Sequence, residues 1–88
     1  MTFLIITEDP SAGAGLVERI KERAPDSFCF SILPSSVEEA LKAVRVDCAV
    51  CPPGLADLLS HRKLPQVAVW PLEVSAEAMA EALLPHHA

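Results

Sequence analysis

Four short apolar runs, each closed by a chain breaker or a polar cap and each followed by a different periodicity, constrain this 88-residue chain more than any other feature. The first, Phe3-Leu4-Ile5-Ile6, is apolar at every position and ends at Thr7. A strand buried on one face would alternate, so a continuous run predicts a strand covered on both faces. Cys48-Ala49-Val50-Cys51 is a second such run, stopped by Pro52-Pro53-Gly54 because proline lacks the N–H that a ladder needs. Val67-Ala68-Val69-Trp70 is a third, ended by Pro71. The remaining run alternates Phe28, Phe30 and Ile32 with Cys29, Ser31 and Leu33. Its unequal faces suit the edge of a sheet, with Phe28 and Phe30 assigned to the core.

Between these runs the apolar period lengthens to that of a helix. Asp9 reads as an N-cap with Pro10 at the first helical position, and Leu16, Ile20 and Ala24 follow at helical spacing up to Pro25-Asp26. Ser36-Val37-Glu38-Glu39 has the form of a capping box, and Val37, Ala40, Leu41 and Val44 supply an apolar stripe. Leu55, Leu58 and Leu59 predict a third, short helix. Ser75 caps a fourth, whose face is Ala76, Met79, Ala80 and Leu83 and which Pro85 stops.

Four βα units of about 21 residues each are long enough for parallel crossovers. Right-handed connections around a buried first strand predict a flavodoxin-like three-layer α/β sandwich. Its four-stranded parallel sheet has the order 2-1-3-4, with strands near 2–7, 28–33, 47–51 and 66–70 and helices on both faces. Residues 1–88 are expected to form one domain. In such sheets ligands sit beyond the carboxyl ends of the strands, where the winding reverses. That crevice lies between the loops after strands one and three, with Thr7, Glu8, Asp9, Ser11, Gly13, Cys51, Pro52, Pro53 and Gly54 on its rim.

The residues around the crevice carry a resemblance. Ile5-Ile6-Thr7-Glu8-Asp9-Pro10 resembles the opening strand and acidic cluster of a response-regulator receiver domain. Val46-Asp47-Cys48-Ala49-Val50-Cys51-Pro52-Pro53-Gly54 resembles the receiver's third strand and the loop after it. The departures are equally specific. Pro52 stands at or near the place of the phospho-accepting aspartate, and Thr7 takes the place of one metal-binding acid, with Glu8 nearest the other. Trp70 falls roughly at the switch serine or threonine, and the fifth strand with its lysine is missing. The resemblance therefore implies a truncated pseudo-receiver, a signalling domain that is not phosphorylated in the family manner.

Other candidate chemistry is thin. Glu8 and Asp9 could offer oxygen ligands to Mg²⁺, but no third carboxylate is placed beside them, and Asp9 as a helix cap with Glu8 solvated is the plainer reading. Ser11-Ala12-Gly13-Ala14-Gly15 could cradle a phosphate, yet Glu18 stands where a dinucleotide fingerprint needs its third glycine. Cys48 and Cys51 have C-x-x-C spacing, but three residues apart on a strand they point to opposite faces. They read as structural thiols, with Cys51 bordering the crevice and Cys48 shielded. His61-Arg62-Lys63 is a short basic turn. With a net charge of −5, nucleic-acid binding is not expected. No apolar run approaches the length of a membrane span, so no membrane role is expected either. Three cysteines are too few for a disulfide framework and favour a reducing cytoplasm. The absence of asparagine, the single Gln66 and eight prolines lean toward a heat-adapted source, a thermophile, with three Cys and two Met pulling the other way.

A sheet of this kind normally continues beyond four strands. Val67, Val69 and Trp70 are therefore expected to form an unprotected edge, and with Met79 and Leu83 of the last helix to join a homodimer or a protein partner. No order of serine or cysteine with histidine and aspartate suggests a catalytic triad. The expected function is a non-catalytic regulatory or protein-interaction module, without cofactor or metal. The alternative is a small ligand-binding or enzymatic domain that uses Glu8, Asp9, Ser11, Gly13, Cys51 and Gly54 in the crevice.

Overall fold

The computed structural model describes residues 1–62, 64–71 and 73–84. Strand β1 (Thr2–Ile6) forms over the first apolar run, and helix α1 (Pro10–Arg23) begins one residue after Asp9. The Asp9 carboxylate accepts the backbone N–H groups of Ser11 at 3.0 Å and Ala12 at 3.3 Å, which satisfies two donors that a helix start leaves open. Lys21 and Arg23 occupy the last turn, where positive charge suits the helix dipole. The helix stops at Ala24, because the residue before a proline is driven out of helical geometry.

Strand β2 (Phe28–Ile32) follows, then a 3₁₀ turn (Pro34–Ser36) and helix α2 (Val37–Ala43). The expected capping box does not form. Ser36 closes the 3₁₀ turn with φ −100° and ψ 4°, away from the extended geometry a capping hydroxyl needs, and its side chain caps nothing. Strand β3 (Cys48–Cys51), a second 3₁₀ turn (Pro53–Leu55) and helix α3 (Ala56–Ser60) come next. Strand β4 (Gln66–Val69) and helix α4 (Ala76–Leu83) complete the fold. Ser75 caps α4 by accepting the Ala78 N–H at 3.1 Å. Lys63, Pro85, His86 and His87 lie outside the described residues.

All three strand pairings are parallel and the order is β2-β1-β3-β4, the topology and order that the alternating pattern predicts. Alternation along the strands divides the core into two layers. Phe3, Ile5, Cys48 and Val50 pack with Leu16 and Ile20 of α1 and with Met79, Ala80 and Leu83 of α4. Leu4, Ile6, Ala49 and Cys51 pack on the other side with Val46 and Leu59, flanked by Val37, Ala40 and Leu41 of α2. The arrangement is a three-layer α/β sandwich. No helix among the described residues is long and apolar enough to cross a membrane.

Two expectations about burial are corrected. Phe28 and Phe30 are not core residues; they are 65% and 42% exposed. By register they share a face with Leu4 and Ile6, but seven-residue α2 spans only about 10 Å. Its apolar side chains pack with Ile32 onto the cluster around Leu4 and Ile6, leaving the β2 face uncovered at Phe28 and Phe30. Conversely, Met79 and Leu83 are not surface residues. They are 5% and 9% exposed, because α4 returns across the sheet to lie beside α1 and spends its apolar face inside its own chain.

Candidate functional site

A half-open crevice of about 360 Å³ lies at the carboxyl ends of β1, β3 and β4. One wall is the end of β1 and the start of α1, with Ile6, Thr7, Asp9, Ser11, Ala12 and Gly15. Pro52 contributes from the end of β3, and the opposite wall is Trp70, Pro71, Val74, Ser75 and Ala76. The crevice thus lies at the predicted end of the sheet but is displaced toward β4. Of the residues expected there, Thr7, Asp9, Ser11 and Pro52 line it. Glu8, Gly13, Cys51, Pro53 and Gly54 do not form its walls.

Each displacement has a physical cause. Gly13 is buried where α1 crosses β2, and a Cβ added there would stand 2.1 Å from Ser31 Oγ and 3.0 Å from Thr7 Cγ2. Glycine at this position permits a close helix–strand approach rather than contact with a phosphate. Cys51 faces the α2 and α3 side and has no accessible surface, so it does not border the crevice. Cys48 faces the α1 and α4 side, opposite to Cys51 as strand alternation requires. Burial pushes the Cys48 thiol up to about 11, with the neighbouring Asp47 carboxylate adding to the rise. Burial also raises Cys51, and it raises Cys29 against the opposing pull of Lys21. Cys29 is the one partly accessible thiol of the three.

Trp70, Val74 and Ser75 belong to the site although the first and third strand ends alone did not point to them. The signal was present, since Trp70-Pro71 ends a strand and Ser75 starts a helix, and every strand end in a parallel sheet opens toward the same side. Trp70 is held by two hydrogen bonds. Its backbone N–H donates to Cys51 O at 2.8 Å, and its indole Nε1–H donates to Val74 O at 2.8 Å. A further turn bond from Val74 N–H to Pro71 O closes the wall.

Two helix starts meet at this cavity, where Asp9 accepts the Ser11 and Ala12 N–H groups and Ser75 accepts that of Ala78. Asp9 is also the one acidic side chain among the described residues that line it, and no basic one stands beside it there, so the lining does not favour an anion. The walls are chiefly apolar, which suits a small neutral or amine-bearing molecule that stacks on Trp70 and donates to Asp9. Among the described residues no group of three or more His, Cys, Asp or Glu side chains converges. At the other end of the molecule Arg62 is paired with Glu38, so the basic turn is tied to α2.

The second notable surface is the edge at β2. Its five residues carry no charge, and Phe28 and Phe30 project from the uncovered face. Edge strands are ordinarily protected by charge, bulge or cover. Comparison with family models, curated proteins and solved structures finds no match to this chain, which leaves the receiver resemblance resting on its residues.

Proposed function

We propose that this chain is a non-catalytic regulatory module of receiver-like design that works by binding protein through the uncovered β2 edge. The observation that carries the proposal is the pair of exposed phenylalanines on an uncharged edge strand. Exposed aromatic residues beside open backbone donors are the ingredients of strand-addition interfaces. The crevice supports the non-phosphorylated part of the reading. Pro52 lines it without offering a carboxylate, and Asp9 is engaged in capping α1.

Incubation with acetyl phosphate and Mg²⁺, followed by intact-mass measurement, tests the absence of receiver chemistry. No phosphoryl adduct is expected; an adduct on Asp9 or Glu8 would overturn the reading. A second reading is favoured by the cavity itself, whose 360 Å³ falls within the range of small-molecule sites. Trp70 is the sole tryptophan, so its emission reports on that cavity directly. Titration with aromatic amines should change the emission and raise the melting temperature if the crevice binds them. Neither change at millimolar ligand would remove this second reading.

A further inference from the structure

We infer that the crevice at the carboxyl ends of β1, β3 and β4 takes an organic cation, an ammonium group carried on a short aromatic body, with the ammonium on Asp9 and the body against Trp70. The inference rests on the small-molecule reading of that crevice and names the class of molecule. The fold uses only half of the Asp9 carboxylate. Its Oδ1 accepts both capping N–H groups, from Ser11 at 3.0 Å and Ala12 at 3.3 Å, and no hydrogen bond among the described residues reaches Oδ2. An ionised carboxylate oxygen only accepts, so a ligand that meets it must donate. An ammonium donates with the help of its charge, and a neutral hydroxyl donates without it. No lysine or arginine among the described lining residues supplies that donor from the chain itself.

The distribution of charge over the molecule favours a cation further. The helices begin at the carboxyl end of the sheet, and their first turns carry Glu38 and Glu39 in α2, Asp57 in α3 and Glu77 in α4. Glu8 follows β1 and Glu73 precedes α4 in loops at the same end. The positive residues stand elsewhere. Lys21 and Arg23 are in the last turn of α1 and Lys42 in that of α2. Arg45 and Arg62 line a separate crevice with Val46 and Leu64, ahead of β3 and β4. Arg19, in the second half of α1, is paired with Glu22. Each helix start contributes at most about half a positive charge, which a full carboxylate outweighs at every one of the four. Because the strands are all parallel, these acidic starts gather at one end. The crevice therefore opens on the negative end of a chain whose net charge is −5, a field that draws in cations and repels anions.

The rest of the lining fits the body of such a molecule. Ile6, Pro52, Trp70, Pro71 and Val74 make the walls chiefly apolar. With its Nε1–H spent on Val74 O, the indole meets a ligand through its carbon surface, which attracts both apolar groups and cations. The volume of 360 Å³ is near the lower limit of about 300 Å³ for small-molecule sites, so it admits one ring with a short linker rather than a nucleotide. The Thr7 and Ser75 hydroxyls already accept the N–H groups of Asp9 and Ala78. Asp9 is thus the charged group that fixes the orientation of the ligand.

The test reads Trp70 emission during titration with probes of one shape and different charge: phenethylamine, a cation at neutral pH, phenethyl alcohol, which is neutral, and phenylpropionate, an anion. At low salt the amine should bind the unaltered chain about threefold or more tightly than the alcohol, and the anion should bind least. Raising the ionic strength from about 0.01 M to about 1 M shortens the screening length from roughly 30 Å to roughly 3 Å and should shrink that preference. Asp9→Asn keeps an N-cap acceptor of similar rank, so the circular-dichroism spectrum should be unchanged. In that variant the amine should fall toward the affinity of the alcohol, while the alcohol, which reports on the integrity of the crevice, binds as before. Equal binding of amine and alcohol to the unaltered chain, or an undiminished preference for the amine in Asp9→Asn, would overturn the inference and leave the small-molecule crevice standing. No emission change from any probe at millimolar concentration would remove the crevice reading and the inference with it.

Discussion

Gly13 and Gly15 stand two residues apart in α1, and replacing each by alanine should move stability in opposite directions. Neither has a positive φ, so alanine strains neither backbone. Alanine in place of helical glycine favours folding by about 1 kcal/mol at both positions. At Gly15 the new methyl would lie 3.8 Å from the Ala76 Cβ, an ordinary contact, and the helix gain survives. At Gly13 it would lie 2.1 Å from Ser31 Oγ, 3.1 Å from Ser31 Cβ and 3.0 Å from Thr7 Cγ2. Rotation of the Ser31 hydroxyl removes only the first of these conflicts. Moving α1 off β2 to relieve the rest is overpacking, which costs about 1–3 kcal/mol. Gly13→Ala is therefore expected to lose up to about 2 kcal/mol, and Gly15→Ala to gain up to about 1 kcal/mol. In a domain of this size each kcal/mol moves Tm by roughly 4–8 °C, so thermal unfolding followed by circular dichroism separates the two. Ser31→Gly provides the internal control, because it removes the Oγ and Cβ that the new methyl meets. In that background Gly13→Ala should lose most of its penalty, with a coupling of about 0.5–3 kcal/mol typical of touching residues. Equal Tm gains at Gly13 and Gly15, or no coupling to Ser31, would refute the close approach of α1 to β2.

The remaining predictions concern thiols, pH and the core. Iodoacetamide should modify Cys29 first in the folded protein and reach Cys48 and Cys51 only on unfolding, as read by peptide mass; equal labelling of all three would contradict the two-layer core. Folding holds Cys48 protonated up to about 11, against 9.0 for the free thiol, so the native state binds the extra proton between those values. Stability should therefore be complete below about pH 9 and fall as pH rises toward 11, and Cys48→Val should flatten that decline in denaturant titrations. Leu16→Ala, in the fully buried layer under α1, should cost about 2–5 kcal/mol by urea unfolding.

Sheet order and strand ends were legible because they depend on local chemistry. A run such as Phe3 to Ile6 can be buried on both faces only in the middle of a parallel sheet, and Pro52 and Pro71 end their strands by lacking a donor. Asp9 was equally plain, since a carboxylate before Pro10 has the N–H groups of the first turn directly in reach. Coverage was not legible, because it depends on where a helix travels after it forms. The alternation of β2 is the same whether Phe28 and Phe30 meet a helix or water, and only the short span of α2 decides it. Likewise the apolar stripe of α4 identified Met79 and Leu83 as contact residues, but not that α1 would be the contact. The crevice lay partly in between. Its Asp9, Ser11 and Pro52 followed from the switch point, whereas its Trp70 and Ser75 wall depends on α4 folding back until Ala76 faces Gly15.

That return of α4 explains why the two edges of one sheet differ in character. By crossing back to α1 it covers the β3 and β4 side of one face, draws Trp70 inward, and consumes the apolar residues that could have served a partner there. Strand β2 has no such helper. Helix α1 covers one of its faces and brings Gly13 against Ser31, while α2 leaves the other face before reaching Phe28 and Phe30. A mutation that lengthened α2 over β2 would bury both rings within the chain and should therefore raise its stability. Two rings left in water at an uncharged edge forgo apolar burial that would otherwise stabilise the chain, which is why the coverage of β2 and not its strand pattern sets the character of this edge.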